Sequence, residues 1–168
     1  MPVRDLAGLP YRPCVGIMLL NREGHVFVGR RPDVADAEGR GEWWQMPQGG
    51  IDPDEDPARA AARELYEETG VRNARVIGQS SAWYTYDLPP HLLGVSWGGR
   101  YRGQRQLWFA MRFLGEDSEI NLSPPGHTAE FDQWQWVPVD GLLGLIVKFK
   151  RGVYEEVVAE FKPLAIAG

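Results

Sequence analysis

Glu64, Glu67 and Glu68 stand at positions i, i+3 and i+4 of the run Arg63-Glu64-Leu65-Tyr66-Glu67-Glu68-Thr69-Gly70. On a helix this spacing gathers three carboxylates on one arc roughly 100° wide. Like charges so close repel one another and weaken an isolated helix. A divalent cation removes the repulsion, and carboxylate oxygens are the ligands that Mg²⁺ prefers. Taken alone, such a triplet is more often a solvated acidic face, so its surroundings decide the reading. Upstream, Gly49 and Gly50 let the backbone turn closely past a metal or a phosphate, and their carbonyls offer hard oxygen ligands. Arg63 can reach back to Glu55 and fix the intervening loop against the helix through a charge-assisted pair.

The element that must carry these groups is well marked. Asp56 can cap a helix with Pro57 at its first position, Ala58, Ala60, Ala61, Ala62 and Leu65 propagate it, and Gly70 stands where it should stop. Ala58, Ala61 and Leu65 fall on the arc beside the carboxylates and are expected to face the core. Around this helix lie strand signals. Cys14 to Leu20 and Val26 to Val28 read as a hairpin through the four-residue turn Asn21-Arg22-Glu23-Gly24. Arg31 to Glu42 reads as an exposed loop, and Trp43 to Met46 as a short apolar stretch that stops at Pro47. Val76-Ile77, Ala82 to Tyr86, Gln106 to Phe113 and Trp134 to Val137 read as further strands. Val153, Val157, Val158 and Phe161 mark a C-terminal helix with one buried stripe. The plan is mixed α/β, a sheet between helical layers.

Gly49, five residues, Glu55, seven residues and then Arg63 to Val71 resembles the Nudix box, with every specified position matched. The resemblance implies the Nudix fold, an α/β/α sandwich with a central mixed sheet, spanning residues 1–168 as a single domain with its box at 49–71. It implies a pyrophosphohydrolase in which Gly49, Glu64, Glu67 and Glu68 hold one to three Mg²⁺ or Mn²⁺ ions, the three glutamates being catalytic. The Glu55–Arg63 pair is implied to be structural. The general base stays open among Glu64, Glu67 and Glu130.

The likeness continues beyond the box. Tyr11 to Gly16, Trp44 to Gly50, Gly103 to Phe109, Glu130 to Val137 and Phe149 to Tyr154 look like one bacterial branch of the family. That branch comprises RNA 5′-pyrophosphohydrolases and diadenosine polyphosphate hydrolases. By this resemblance Glu130, an ordinary loop acid on spacing alone, is a further metal ligand or catalytic carboxylate. Arg12, Arg31, Tyr86, Gln104, Phe149 and Lys150 match positions associated with phosphate and base recognition. On residue type alone, Phe149 also reads as core, and Arg31 and Lys150 as solvated surface charges. Tyr86, 16 residues after Gly70, fits the aromatic marker of dinucleoside polyphosphate hydrolases. The 31–42 loop is longer than in enterobacterial RNA enzymes of the branch, and the long basic C-terminal tail of some relatives is not expected here.

Composition bounds the alternatives. A hydrophobic share of 43% with seven Trp argues for a folded core. A net charge of -5 disfavours coating nucleic acid by phosphate neutralisation, though not gripping one phosphorylated end. The expected substrate is therefore a nucleoside polyphosphate or an RNA 5′ end, with no duplex DNA and no membrane. One cysteine, Cys14, excludes an internal disulfide and, with no apolar leader in Met1 to Pro10, points to the cytoplasm. Cys14 reads as a small buried residue, and His25, His91 and His127 share no metal-ligand spacing. Trp43, Trp44, Trp83, Trp108, Trp134 and Trp136 are expected to alternate between core and surface. Rival activities are the cleansing of damaged nucleoside triphosphates, the hydrolysis of nucleotide sugars, and a catalytically silent nucleotide sensor. The last usually lacks a box carboxylate, and all are present here.

Overall fold

The apolar run from Cys14 to Leu20 is buried on both sides, so it must lie inside a sheet covered on both faces. In the computed structural model, which describes residues 8–32, 35–36, 39–40 and 43–166, it does. The run lies in β1 (Tyr11–Leu20), which pairs in parallel with β9 (Gly103–Phe113) along its whole length, from Tyr11 opposite Gly103 to Leu20 opposite Arg112. The chain then turns through Asn21, whose side-chain oxygen accepts from the Glu23 and His25 N–H groups, into β2 (Val26–Arg31). Leu20 faces Val26, so the connection is one residue longer than the expected four.

Antiparallel strands extend this pair. The order β10 (Gln133–Val137), β2, β1, β9, β7 (Ala74–Gln79) forms the main path. β5 (Trp43–Gln45), β6 (Gln48–Gly50) and β8 (Tyr84–Asp87) pair with β2, β1 and β9 respectively. The expected strand at Ala82 thus begins two residues later. Within the expected loop 31–42 the described backbone forms a two-stranded ribbon, β3 (Ala35–Asp36) with β4 (Gly39–Arg40), and the rest of that loop lies outside the described residues.

Period-two alternation assigns each face. Val15, Ile17, Leu19, Leu107, Phe109 and Met111 point to α1 (Pro57–Thr69), meeting Ala60, Ala61 and Leu65. Met18, Leu20, Trp108 and Ala110 point to α2 (Arg151–Ile166), meeting Val153, Val157 and Phe161. Each buried Leu, Ile or Phe removes roughly 1.5–3 kcal/mol worth of apolar surface from water. The result is the expected α/β/α sandwich with a mixed sheet. Two expectations about side chains change. Ala58 is exposed; the buried stripe of α1 is Ala60, Ala61, Leu65, Glu68 and Thr69. Val158 is only half-buried, and Tyr154 and Ala165 complete the stripe of α2. Among the described residues no helix is long and apolar enough to cross a membrane.

Candidate active site

The local sequence around α1 sets the site. Asp56, extended at φ -65, ψ 133, accepts from the Arg59 N–H, Pro57 opens the helix, and Gly70 closes it at φ 73 with its N–H on the Tyr66 carbonyl. This fixes the roll of the helix, and the carboxylates of its last two turns divide between environments. Glu67 is half-buried at the edge of a cleft of about 450 Å³. Glu64 lines the same cleft. Glu68 turns under the cleft and is 3% exposed. The three are therefore not on a common solvated face. A bland acidic surface is excluded for Glu68 by its burial.

Arg63 organises the outer side. It donates to both oxygens of Glu55 at 2.9 Å, to the Gly50 carbonyl at 2.9 Å, to Glu64 at 2.9 Å and to Glu67 at 3.3 Å. The pair expected between Glu55 and Arg63 is present, and it ties the loop after Gly50 to the helix. Its guanidinium holds the Glu55 carboxyl down to about 2. Gly49 is needed for close approach, because a Cβ there would run into the Glu64 carboxylate.

On the inner side, burial pushes Glu64 up to about 7, the neighbouring Glu67 and Glu130 charges adding to it and Arg63 opposing. Burial also holds Glu68 well above the ordinary carboxylate range, reinforced by the Glu130 and Glu64 charges. One Glu68 oxygen accepts from the Gln48 N–H at 3.3 Å. The other, Oε1, is buried with no hydrogen-bond partner among the described residues. Glu130 reaches this group from the loop before β10. The two residues that follow anchor it: Phe131 is buried against the bare backbone of Gly29, and Asp132 accepts two hydrogen bonds from Arg30. Earlier in the same loop, His127 meets the Tyr66 ring edge-on at 6.1 Å.

Hard oxygens, crowded like charges and an unpartnered buried carboxylate oxygen form a donor set that a hard divalent cation fits. Among the described residues no three acidic, imidazole or thiol side chains close into a ready-made cage. The carboxylates instead line one wall, which suits a cation that is shared with a ligand's phosphates rather than enclosed by protein.

Basic and aromatic residues line the rest of the cleft. Tyr86, Gln104 and Arg12 face one another in a row across β8, β9 and β1. Phe149 packs 5.7 Å from Tyr86, and the Lys150 ammonium lies 5.9 Å and 5.8 Å from the two ring centres. Lys150 is not a solvated charge. It is buried, and donates to Gln45. Phe149 is half core and half cleft. Arg31 lies 3.9 Å from Glu130. Arg12, Arg31, Tyr86, Gln104, Phe149 and Lys150 all line the same cleft as Gly49, Glu64, Glu67 and Glu130. Glu55 and Arg63 support it from outside. Cys14 is buried nearby with its thiol pushed up to about 11 by burial, which makes it unreactive.

Sequence reasoning missed one side of the cleft. His91, Leu92, Ser96 and Trp97, from the connection between β8 and β9, complete the lining. That connection has no helical or strand period to draw attention to it. The available signal was a tryptophan followed by Gly98 and Gly99, an aromatic on a hinge-rich loop.

Comparison with known proteins gives a consistent result. Residues 10–157 match the model of the NUDIX domain. A protein of Mesorhizobium japonicum named RNA pyrophosphohydrolase is 58% identical over 96% of this chain and 95% of its own length. One of the same name from Brucella abortus is 57% identical over 96% of this chain and 93% of its own. Among solved structures, a MutT protein from Methanosarcina mazei covers 92% of this chain and 98% of its own at a TM-score of 0.64 and 21% identity. The E. coli dihydroneopterin triphosphate pyrophosphohydrolase covers 90% of this chain and 99% of its own at 0.65 and 18%. These two likenesses speak for the fold alone.

Proposed function

Since the chain belongs to the NUDIX domain family, whose hydrolases use divalent metal ions, we propose that it is a pyrophosphohydrolase of triphosphorylated RNA 5′ ends that also splits dinucleoside polyphosphates. The RNA reaction yields a 5′-monophosphate end and pyrophosphate. Diadenosine tetraphosphate would be cut asymmetrically into ATP and AMP. The observation that carries this reading is the meeting, in one cleft, of a carboxylate wall with a basic, aromatic wall. The first suits a metal-bound phosphoanhydride, and the second suits a nucleotide's phosphates and base. The relatives' name supports RNA as the substrate.

Glu64, Glu67, Glu68 and Glu130, with the Gly49 carbonyl, would hold one to three Mg²⁺ or Mn²⁺ ions. Bound there, such ions polarise the bridging phosphates and lower the pKa of a coordinated water. The protein's own contribution is positional. Arg63 keeps the Gly50 carbonyl and three glutamates in register. Arg12, Arg31 and Lys150 bind phosphate oxygens, and Phe149 with Tyr86 gives a stacking face worth about 1–3 kcal/mol to a base. A carboxylate among Glu64, Glu67 and Glu130 takes the water's proton. The single buried cysteine supports a reducing, cytoplasmic setting.

The test is a panel assay of the pure protein on triphosphorylated RNA, diadenosine tetraphosphate, 8-oxo-dGTP and ADP-ribose. The highest kcat/KM is expected on one of the first two. A clear preference for 8-oxo-dGTP or ADP-ribose would replace this reading with a house-cleaning or nucleotide-sugar activity.

A further inference from the structure

Trp97 has no part in the carboxylate chemistry, yet it lines the cleft and is held in an unusual backbone conformation. It stands at φ 53, ψ 39, in the left-handed region where a bulky L residue is an outlier. Gly94 before it and Gly98 and Gly99 after it have φ values of 83, 67 and 72. Glycine thus absorbs the turns on either side, while the one large side chain among them accepts the same unfavourable geometry. Non-glycine residues held in this way cluster at ligand clamps.

The ring has a cation against it. The Arg12 guanidinium lies 5.6 Å from its centroid, and Tyr101 meets it edge-on at 6.2 Å. Arg12 is itself confined on the catalytic side, since a Cβ on Gly50 would strike its guanidinium. The row Tyr86–Gln104–Arg12 spans two strand spacings, about 10 Å. At one end Lys150 lies against Tyr86 and Phe149; at the other Arg12 lies against Trp97. Both ends therefore carry an aromatic ring backed by a cation, with a buried amide between them. Any nucleobase can stack on such a ring, and a cation at the ring adds to the attraction.

We propose that Trp97, backed by Arg12, is a second nucleobase platform, so that the cleft grips two bases of one substrate. The inference rests on the reading of the cleft as a nucleoside-polyphosphate site. The second base would come either from the adjoining nucleotide of an RNA end or from the far nucleoside of a dinucleoside polyphosphate.

The experiment measures equilibrium binding of hydrolysis-resistant, methylene-bridged ligands to the native chain, Trp97→Ala and Trp97→Phe. The ligands are a 5′-triphosphorylated RNA tetranucleotide, two versions of it abasic at the first or second nucleotide, and a diadenosine tetraphosphate analogue. Trp97→Ala should weaken at least one of the two intact two-base ligands about tenfold or more. Where the RNA ligand is weakened, the loss should vanish on one of the two abasic oligomers, and Trp97→Phe should retain most of the affinity. Turnover of the cleavable substrates should show raised KM with kcat little changed. Which of the two intact ligands suffers identifies the source of the base. Trp97→Asn, which tolerates a positive φ, replaces the Ala variant if that one fails to fold. Equal weakening of all four ligands, or of none, overturns the proposal, as does a native chain that binds two-base ligands no better than abasic ones. A native chain that binds them but leaves the cleavable counterparts intact would refute the hydrolytic reading and leave the platform standing.

Discussion

A glutamate that is 3% exposed, with one oxygen unpartnered, costs stability whenever it is ionised. Glu68 is such a residue, its pKa raised first by burial and then by the Glu130 and Glu64 charges. Keeping its shape while removing the charge should separate stability from activity. Glu68→Gln is expected to melt at an equal or higher temperature than the native chain at pH 7 in EDTA. Its turnover with added metal should fall by several orders of magnitude. A variant that melts lower and turns over normally would make Glu68 a structural acid only. Glu55 behaves oppositely. Its carboxyl is held at about 2 against an ordinary 4.5, first through the Arg63 hydrogen bonds. A depressed folded-state pKa means stability that is complete above about 4.5 and lost as pH falls toward about 2. With solvent screening allowed for, the contribution is about 1 kcal/mol. Glu55→Gln should therefore lose stability at pH 7 in chemical denaturation and converge with the native chain near pH 2. Parallel curves at both pH values would show that the pair contributes nothing.

At the scale of elements, the helix was legible because its signals are local. Asp56, Pro57 and Gly70 each do what their backbone chemistry dictates, and the helix bounds follow. Which arc faces inward was not local. Ala58 stands exposed in the first turn, and Glu68 is turned in against the start of β6, where it accepts from the Gln48 N–H just after the β5–β6 connection. That connection has a second support from the far layer, where the Met46 N–H donates to the Tyr154 hydroxyl on α2 at 2.8 Å. The bond links the C-terminal helix to the strand leading into Gly49. Removing the hydroxyl leaves a buried N–H unpaired, so Tyr154→Phe should cost about 1–3 kcal/mol in a denaturant melt. A change near zero would show that the connection is held by the α1 side alone.

Over the whole molecule, the sheet brings together residues far apart in the sequence, and only part of that was readable. The carboxylates of the box could be found from their spacing together with Gly49, Glu55 and Arg63 around them. Glu130 could not, because a loop acid reaches the cleft only when the following Phe131 and Asp132 dock on Gly29 and Arg30. Lys150, matched to a recognition position by resemblance, reads equally as a surface charge on residue type alone; its burial arises where Gln45 of β5 meets the start of α2. Trp97 was missed because its connection has no period, and the Arg12 guanidinium against it comes from a strand 85 residues earlier.

The central proposal is that one wall of carboxylates would hold divalent cations against a polyphosphate. The direct test titrates Mn²⁺ into the protein with a methylene-bridged diadenosine tetraphosphate, following the free-ion EPR signal. The native chain is compared with Glu64→Gln/Glu67→Gln, and turnover on triphosphorylated RNA is measured beside it. The double variant is expected to bind at least one Mn²⁺ fewer and to lose its turnover in step. Undiminished manganese binding with near-native turnover would contradict the account.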